Sequence, residues 1–254
     1  NIDLGDGANE FTSQNTKGAL QTVINTNFTA SGDGATSLTM GKYTYSATGN
    51  NITLGAGANA VNLGAVSGKG AAGLKVDLSA SELTQKVTLN GSANYLNYTG
   101  SRGEDVLNIL GSLSNSNIDL GEGENSLTVK NAKGAALTVA NTNITALGQS
   151  SNTITAGAFK AGVNGNSIIL GEGANAINLS SISGGAHGVE LIMAAAADEQ
   201  KLNVSGSAVN VKYTGSAGAD EVSFGGSVSK SQFELGDGDN SFTALGAKSN
   251  VTDS

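Results

Sequence analysis

The stretch Leu4-Gly5-Asp6-Gly7-Ala8-Asn9-Glu10-Phe11-Thr12 recurs along the chain. It returns as Leu54 to Asn62 (LGAGANAVN), Leu120 to Thr128 (LGEGENSLT), Leu170 to Asn178 (LGEGANAIN) and Leu235 to Thr243 (LGDGDNSFT). Each copy places two glycines at alternate positions, then Asn, then a large apolar residue two positions on. Glycine takes positive φ without a steric penalty. Asn bonds its own backbone or tolerates the left-handed region. The apolar residue that follows marks an inward strand position. Every copy therefore reads as a turn that feeds a strand.

Self-similarity extends well beyond these turns. Residues 1–27 align without a gap on residues 117–143, with 17 of the 27 positions identical, Lys17-Gly18-Ala19 and Asn25-Thr26-Asn27 among them. The offset of 116 also relates Leu54 to Leu170. After a one-residue deletion it becomes 115, relating Thr99-Gly100-Ser101 to Thr214-Gly215-Ser216 and Leu120 to Leu235. The chain divides into long repeats over 1–116 and 117–231, with the start of a third over 232–254. Beginning at Asn1 and stopping inside a third copy, it reads as a window on a longer array. Within a long repeat, turns begin at 4, 31, 54, 100 and 120, with steps of 27, 23, 46 and 20. Taking 46 as two steps of 23 gives five coils averaging about 23 residues, one supersecondary unit stacked on the next.

The segments between turns alternate with period two, as in Lys75-Val76-Asp77-Leu78, Lys86-Val87-Thr88-Leu89 and Asn117-Ile118-Asp119-Leu120, which argues strand. The expected fold is all-β, a β-solenoid (β-roll or parallel β-helix). A helical pattern is confined to Met193 to Gln200 (MAAAADEQ) and its counterpart Leu78 to Gln85 (LSASELTQ), where Ser79 and Glu82 have capping-box spacing. These two stretches allow one short helical turn per repeat. With 4% aromatics, the core is expected to be a thin column of Val, Ile, Leu and Ala. Asn and Thr at matching positions would stack into ladders.

Composition narrows the function. The 254 residues include 37 Gly, no Pro, no Cys and no Trp. Absent cysteine excludes a disulfide scaffold or a thiolate metal site. No apolar run reaches the roughly 18 residues of a membrane span. The net charge of −8 repels phosphate backbones, so nucleic acid is not an expected partner. It suits an extracellular surface or a hard cation such as calcium.

The turns resemble the repeats-in-toxin, or haemolysin-type, calcium-binding nonapeptide Gly-Gly-x-Gly-x-Asp-x-(apolar)-x. Gly100-Ser101-Arg102-Gly103-Glu104-Asp105-Val106-Leu107-Asn108 keeps the first Gly, the Gly at the fourth position, the Asp and the apolar residue. Gly215 to Ser223 keeps the same four, with Asp220 and Val222. Leu4 to Thr12 keeps the central glycines and Phe11, with Asn9 in place of Asp. The resemblance implies calcium held by turn carbonyls and carboxylates. Asp105 and Asp220 would be the best-matched ligands, with Glu104, Asp6, Glu122, Glu124, Asp237 and Asp239 at the other acidic turns. It also implies secretion to a bacterial cell surface. Two departures stand out: these turns lie 20 or more residues apart, where the family's run in tandem, and Asn replaces most of the Asp residues.

Nothing points to catalysis. The single histidine, His187, lies in a glycine-rich loop without a counterpart in the first repeat, and neither a Ser/His/Asp set nor paired histidines at helical spacing occur. An ice-binding face would need a strict Thr-x-Thr ladder at coil spacing, and none is visible. The expectation is a non-enzymatic extracellular structural protein: a surface layer, adhesin stalk or filament that self-associates and meets cell-surface polysaccharide. The alternatives are a β-helix polysaccharide-degrading enzyme and a calcium-independent filamentous adhesin.

Overall fold

The computed structural model describes residues 1–68, 70–193 and 197–246. Among these there is no helix, and every strand pairs in parallel into one of three sheets. The first sheet runs from Ile2–Asp3 to Gln232–Glu234 and the second from Asn9–Thr12 to Ser241–Ala244, eleven strands each; the third runs from Val23–Ile24 to Val228–Ser229, with ten. Each coil gives one strand to each sheet in turn. The solenoid is therefore a three-sided parallel β-helix, and its sheets run unbroken across the junction of the long repeats at 116/117.

Cross-coil register fixes the period. Equivalent positions at the head of the second sheet are Asn9, Thr36, Asn59, Gln85, Asp105, Asn125, Asn152, Asn175, Gln200, Asp220 and Asn240. The steps between them are 27, 23, 26, 20 and 20 in the first long repeat, and 27, 23, 25, 20 and 20 in the second. Five coils per long repeat is right, but the interval of 46 divides into 26 and 20, not into two equal steps. The coil that motif reading missed turns at Leu78 to Gln85, the stretch with helical pattern. There Ser79 and Ala80 form a turn, and no capping box joins Ser79 to Glu82. Ser79 Oγ instead donates to Asp77 Oδ1 at 2.6 Å. In the second candidate, Ala194 to Ala196 lie outside the described residues. The one-residue deletion falls in the turn from the third sheet to the first. Ile182 stands 116 after Val66, and Val189 stands 115 after Leu74.

Like side chains stack on like. Inside the second sheet, Phe11, Leu38, Val61, Val87, Leu107, Leu127, Ile154, Ile177, Leu202, Val222 and Phe242 form one apolar file. All but the terminal Phe11 and Phe242 are fully buried. The column is wider than Val, Ile, Leu and Ala alone: Tyr43, Tyr45, Tyr98 and Tyr213 are among its largest buried side chains. One residue further along, Thr12, Thr39, Asn62, Thr88, Asn108, Thr128, Thr155, Asn178, Asn203, Ser223 and Thr243 form a single outward polar rank.

Three corners join the sheets. The corner from third to first is often a single left-handed residue, as at Asn25, Asn115 and Asn141 (φ 50, 51 and 48). The corner from second to third carries, in the first coil of each long repeat, a small antiparallel hairpin that pairs Gln14 with Leu20 and Lys130 with Ala136. Asn15 Oδ1 holds its tip by accepting from the amides of Lys17 and Ala19, and Asn131 Oδ1 does the same for Lys133 and Ala135. These hairpins are what the gapless alignment of 1–27 with 117–143 encodes.

Candidate functional site

The glycine turns lie at the corner between the first and second sheets. Their chemistry centres on the residue that heads each second-sheet strand. In the amide turns, this residue reaches back into its own loop. Asn9 Nδ2 donates to the carbonyls of Gly7 (2.9 Å) and Gly5 (3.4 Å). Asn59 Nδ2 does so to Gly57 (2.8 Å) and Gly55 (3.0 Å), and Asn175 Nδ2 to Gly173 and Gly171 (3.0 Å each). The side-chain oxygen faces the coil before it. Asn59 Oδ1 accepts the amide of Thr36, Gln85 Oε1 that of Asn59, Asn175 Oδ1 that of Asn152, and Gln200 Oε1 that of Asn175. Gln85 and Gln200 extend this pattern into the longer glycine-free turns, where one extra methylene lets Gln85 Nε2 reach Gly57 O, Leu83 O and Ser81 Oγ. A hydrogen-bonded amide ladder thus runs along the inside of one corner. No buried side-chain nitrogen or oxygen among the described residues lacks a partner.

Asp105 and Asp220 occupy the same rank but invert the turn. Asp105 Oδ2 accepts from the Ser101 amide at 2.7 Å and from Ser101 Oγ at 3.1 Å, while Oδ1 accepts from Tyr98 Oη at 3.1 Å. Asp220 repeats this with the Ser216 amide (2.9 Å), Ser216 Oγ (3.4 Å) and Tyr213 Oη (3.3 Å). An amide needs carbonyls aimed at it, and a carboxylate needs N–H groups. At this position Gly5, Gly121 and Gly236 sit at φ +68, +74 and +79, whereas Gly55 and Gly171, in the turns of Asn59 and Asn175, do not take positive φ, nor do Ser101 and Ser216 in the acidic turns. In the acidic turns the amides of Ser101 and Ser216 point inward at the carboxylate. The rank interrupts there: Gln85 and Gln200 donate their amides to the carbonyls of Glu104 and Ala219 rather than to a side chain.

Gly100 belongs to the same set. It stands in register with Leu78 and Leu120, and a Cβ on it would lie 2.6 Å from Asp105 Oδ2. The glycine makes room for the carboxylate, as Gly215 does for Asp220. Gly100→Ala is expected to cost about 2 kcal/mol or more, since a buried hydrogen-bonded carboxylate must shift. Denaturant midpoints read this directly.

Both acids are buried, and burial pushes Asp105 up to about 6, against the lowering effect of its Ser101 and Tyr98 hydrogen bonds. Asp220 is raised for the same reason. Burial and the neighbouring carboxylate raise the phenols of Tyr98 and Tyr213 too.

The candidate calcium ligands are therefore not gathered into a site. Calcium takes about six to eight oxygens. Asp105 and Asp220 face inward and commit their oxygens to their own turns. In the amide turns the inward carbonyls accept from the Asn side-chain nitrogen. Asp6 Oδ1 accepts the Ser31 hydroxyl at 2.6 Å, and Glu104 Oε2 accepts from Thr84 at 3.5 Å. Glu122 and Glu124 are exposed on one turn, and Asp237 and Asp239 on another. No group of three or more His, Cys, Asp or Glu side chains among the described residues is placed to hold a metal. The donor set present does not fit calcium at these turns.

The turn Asn does bond its own backbone, as its sequence suggests; what the sequence did not show is that its oxygen also accepts an amide of the preceding coil. The recurrence of Asn at the sixth position of the five Leu-Gly-x-Gly turns was the available signal.

A second feature is a shallow polar groove of about 870 Å³ on the second long repeat, where the third sheet turns into the first. His187 lies on its rim with Asn164, Glu190, Lys212 and Lys230. No helix among the described residues is long and apolar enough to cross a membrane. No family model matches the chain, and no curated protein or solved structure shows significant similarity to it.

Proposed function

We propose that the chain is an extracellular structural repeat protein whose columns associate side by side into a surface layer, stalk or filament. The observation that carries this reading is the charge pattern around the column. The corner between first and second sheets bears Asp6, Asp33, Glu82, Glu104, Glu122, Glu124, Glu172, Asp198, Glu199, Asp237 and Asp239, all exposed, against Arg102 alone. The next corner bears Lys17, Lys42, Lys130 and Lys133, and no acid among the described residues.

The two edges share a period. The hairpins carrying Lys17 and Lys133 recur every five coils, about 24 Å at the usual strand spacing. The acidic pairs Glu122/Glu124 and Asp237/Asp239 recur at that same interval, and Asp6, with Ala8 at the second position, opens the series. A second copy laid alongside sets basic tips on an acidic edge in matching register, a heterologous contact that propagates rather than closes. Rigidity comes from the amide ladder and the apolar files, so this reading does not depend on a bound ion.

Lys17→Glu combined with Lys133→Glu tests the proposal. Exposed ion pairs contribute about 0.2–1 kcal/mol each, so reversing two is expected to weaken association roughly tenfold. Sedimentation at low ionic strength would show wild-type association that fades with added salt. A wild type that stays monomeric at high concentration and low salt, or a variant that associates equally well, overturns the reading.

A further inference from the structure

We propose that the polar groove on the second long repeat binds a segment of acidic polysaccharide. The inference is independent of lateral assembly. It rests on a comparison the molecule makes with itself.

The two long repeats build the same framework at this place except that the second is one residue shorter in the turn before Val189. Two coils enter the first sheet through wider turns, Ala161 to Gly165 and Gly184 to Gly188 in the second repeat. The next two enter through single left-handed residues, Asn210 and Lys230 (φ 55 and 53), which step back and leave the groove. In the first repeat Tyr95 and Asn115 (φ 53 and 51) make the same two corners. The buried supports match as well. Ser231 Oγ accepts the Val211 amide at 3.1 Å, as Ser116 Oγ accepts that of Leu96 at 3.0 Å.

The exposed lining is what differs. Asn164, His187, Glu190, Lys212, Lys230 and Gln232 stand where the first repeat has Thr48, Ala72, Lys75, Asn97, Asn115 and Asn117. In the first repeat, amides close this face by bonding one another: Asn117 Nδ2 donates to Asn97 Oδ1 (3.3 Å), and Asn115 Nδ2 to Asn94 Oδ1 (2.7 Å). In the second, the side chains of Asn164, His187 and Lys230 have no hydrogen bond or ion pair among the described residues. Lys212 meets Glu190 at 3.2 Å, with both side chains about half exposed. Such a pair is weak and exchanges readily for a ligand carboxylate.

This chemistry selects the ligand. The groove is lined by no aromatic side chain, and its apolar lining residues Val189 and Val211 are themselves buried in the column, so little hydrophobic gain is left to anchor a drug-like molecule. It offers amide, imidazole and ammonium groups spread across about five coils, roughly 19 Å along the column. That length suits an extended chain of hydroxyls, and two ammonium groups suit carboxylates or sulfates on it. Bridging water fills the remaining contacts.

The test is titration calorimetry of the full chain with polygalacturonate oligomers, with neutral glucan oligomers of equal length alongside. The proposal expects millimolar or tighter binding of the uronate oligomer. It expects at least tenfold weaker binding by the neutral glucan, and at least tenfold weaker binding by Lys212→Asn/Lys230→Asn, the first repeat's own residues at those positions. Lys86→Gln/Lys201→Gln, exposed on the second sheet, should bind as wild type does. Absent uronate binding, equal binding of the neutral glucan, or unchanged affinity in the groove variant overturns it. Because the substituted residues already fit the same framework in the first repeat, unfolding of the variant is not expected, and its melting curve verifies that.

Discussion

Lowering the pH from 7.5 to 5 raises the unfolding free energy of this chain, and Asp105→Asn removes most of the gain. Burial holds the Asp105 carboxyl at about 6, above the ordinary 3.8. Between those values the folded state binds more protons than the unfolded state, so stability falls as pH rises through the window and is greatest below it. For Asp105 alone the gain by pH 5 is about 1 to 2 kcal/mol. Asp220 shifts in the same direction and adds to it. Asp77 moves the other way: partial burial raises it, but the Ser79 and Lys75 contacts outweigh burial and hold it low. Its stabilising effect is therefore lost only as pH falls below the ordinary carboxylate range. Asn imitates the protonated acid: its oxygen accepts from the Ser101 amide, and its amide nitrogen faces the Tyr98 oxygen. Denaturant midpoints at pH 5 and 7.5, for wild type and Asp105→Asn/Asp220→Asn, measure the effect. A wild type less stable at pH 5 than at 7.5 contradicts the account.

Asn175→Ala is expected to be the most damaging single substitution on the ladder, costing about 3 to 5 kcal/mol. It takes a donor from the carbonyls of Gly171 and Gly173, and it leaves the Asn152 amide without its acceptor and Asn152 Nδ2 with Ser150 O alone. These groups are buried, so water does not replace what they lose. Asn240→Ala removes the same kind of contact to Gly236, Asp237 and the Asp220 amide, but at a half-exposed rung that water reaches. That cost should stay near about 1 kcal/mol. Asn175→Asp separates shape from polarity. It aims a carboxylate at carbonyls in a turn built for an amide, and its penalty should ease as the pH falls. Equal costs for Asn175→Ala and Asn240→Ala would show that burial along the ladder does not set its strength.

Much of this architecture is written locally. Leu4 to Thr12 announces a turn and a strand, and its five copies announce a column of coils. The 116-residue offset gives five coils per long repeat, because stacked coils must repeat the same inward file. What escaped the motif was the coil turning at Leu78 to Gln85. Its turn lacks glycine, and its ladder residue is Gln, whose longer side chain serves a longer loop. Local pattern there favours helix, while pairing with the strands on either side imposes a turn and a strand. The inward direction of Asp105 was equally hidden. Nonapeptide spacing does not say whether a turn presents carbonyls or amides, and that choice decides between an ion and a hydrogen-bonded carboxylate. Gly100 and Tyr98 carried the information: a glycine at a leucine rank and a phenol within reach together accommodate a buried acid. The groove could not be read from sequence, because its residues come from coils 20 or more positions apart.

The central claim is that this column holds itself together through its own amide ladder and apolar files. Circular dichroism with thermal melting, run in EGTA and again in millimolar calcium, tests it most directly. The account predicts a β-rich spectrum in EGTA and a melting temperature that calcium leaves unchanged. A chain that is disordered in EGTA and gains β structure only when calcium is added would contradict it.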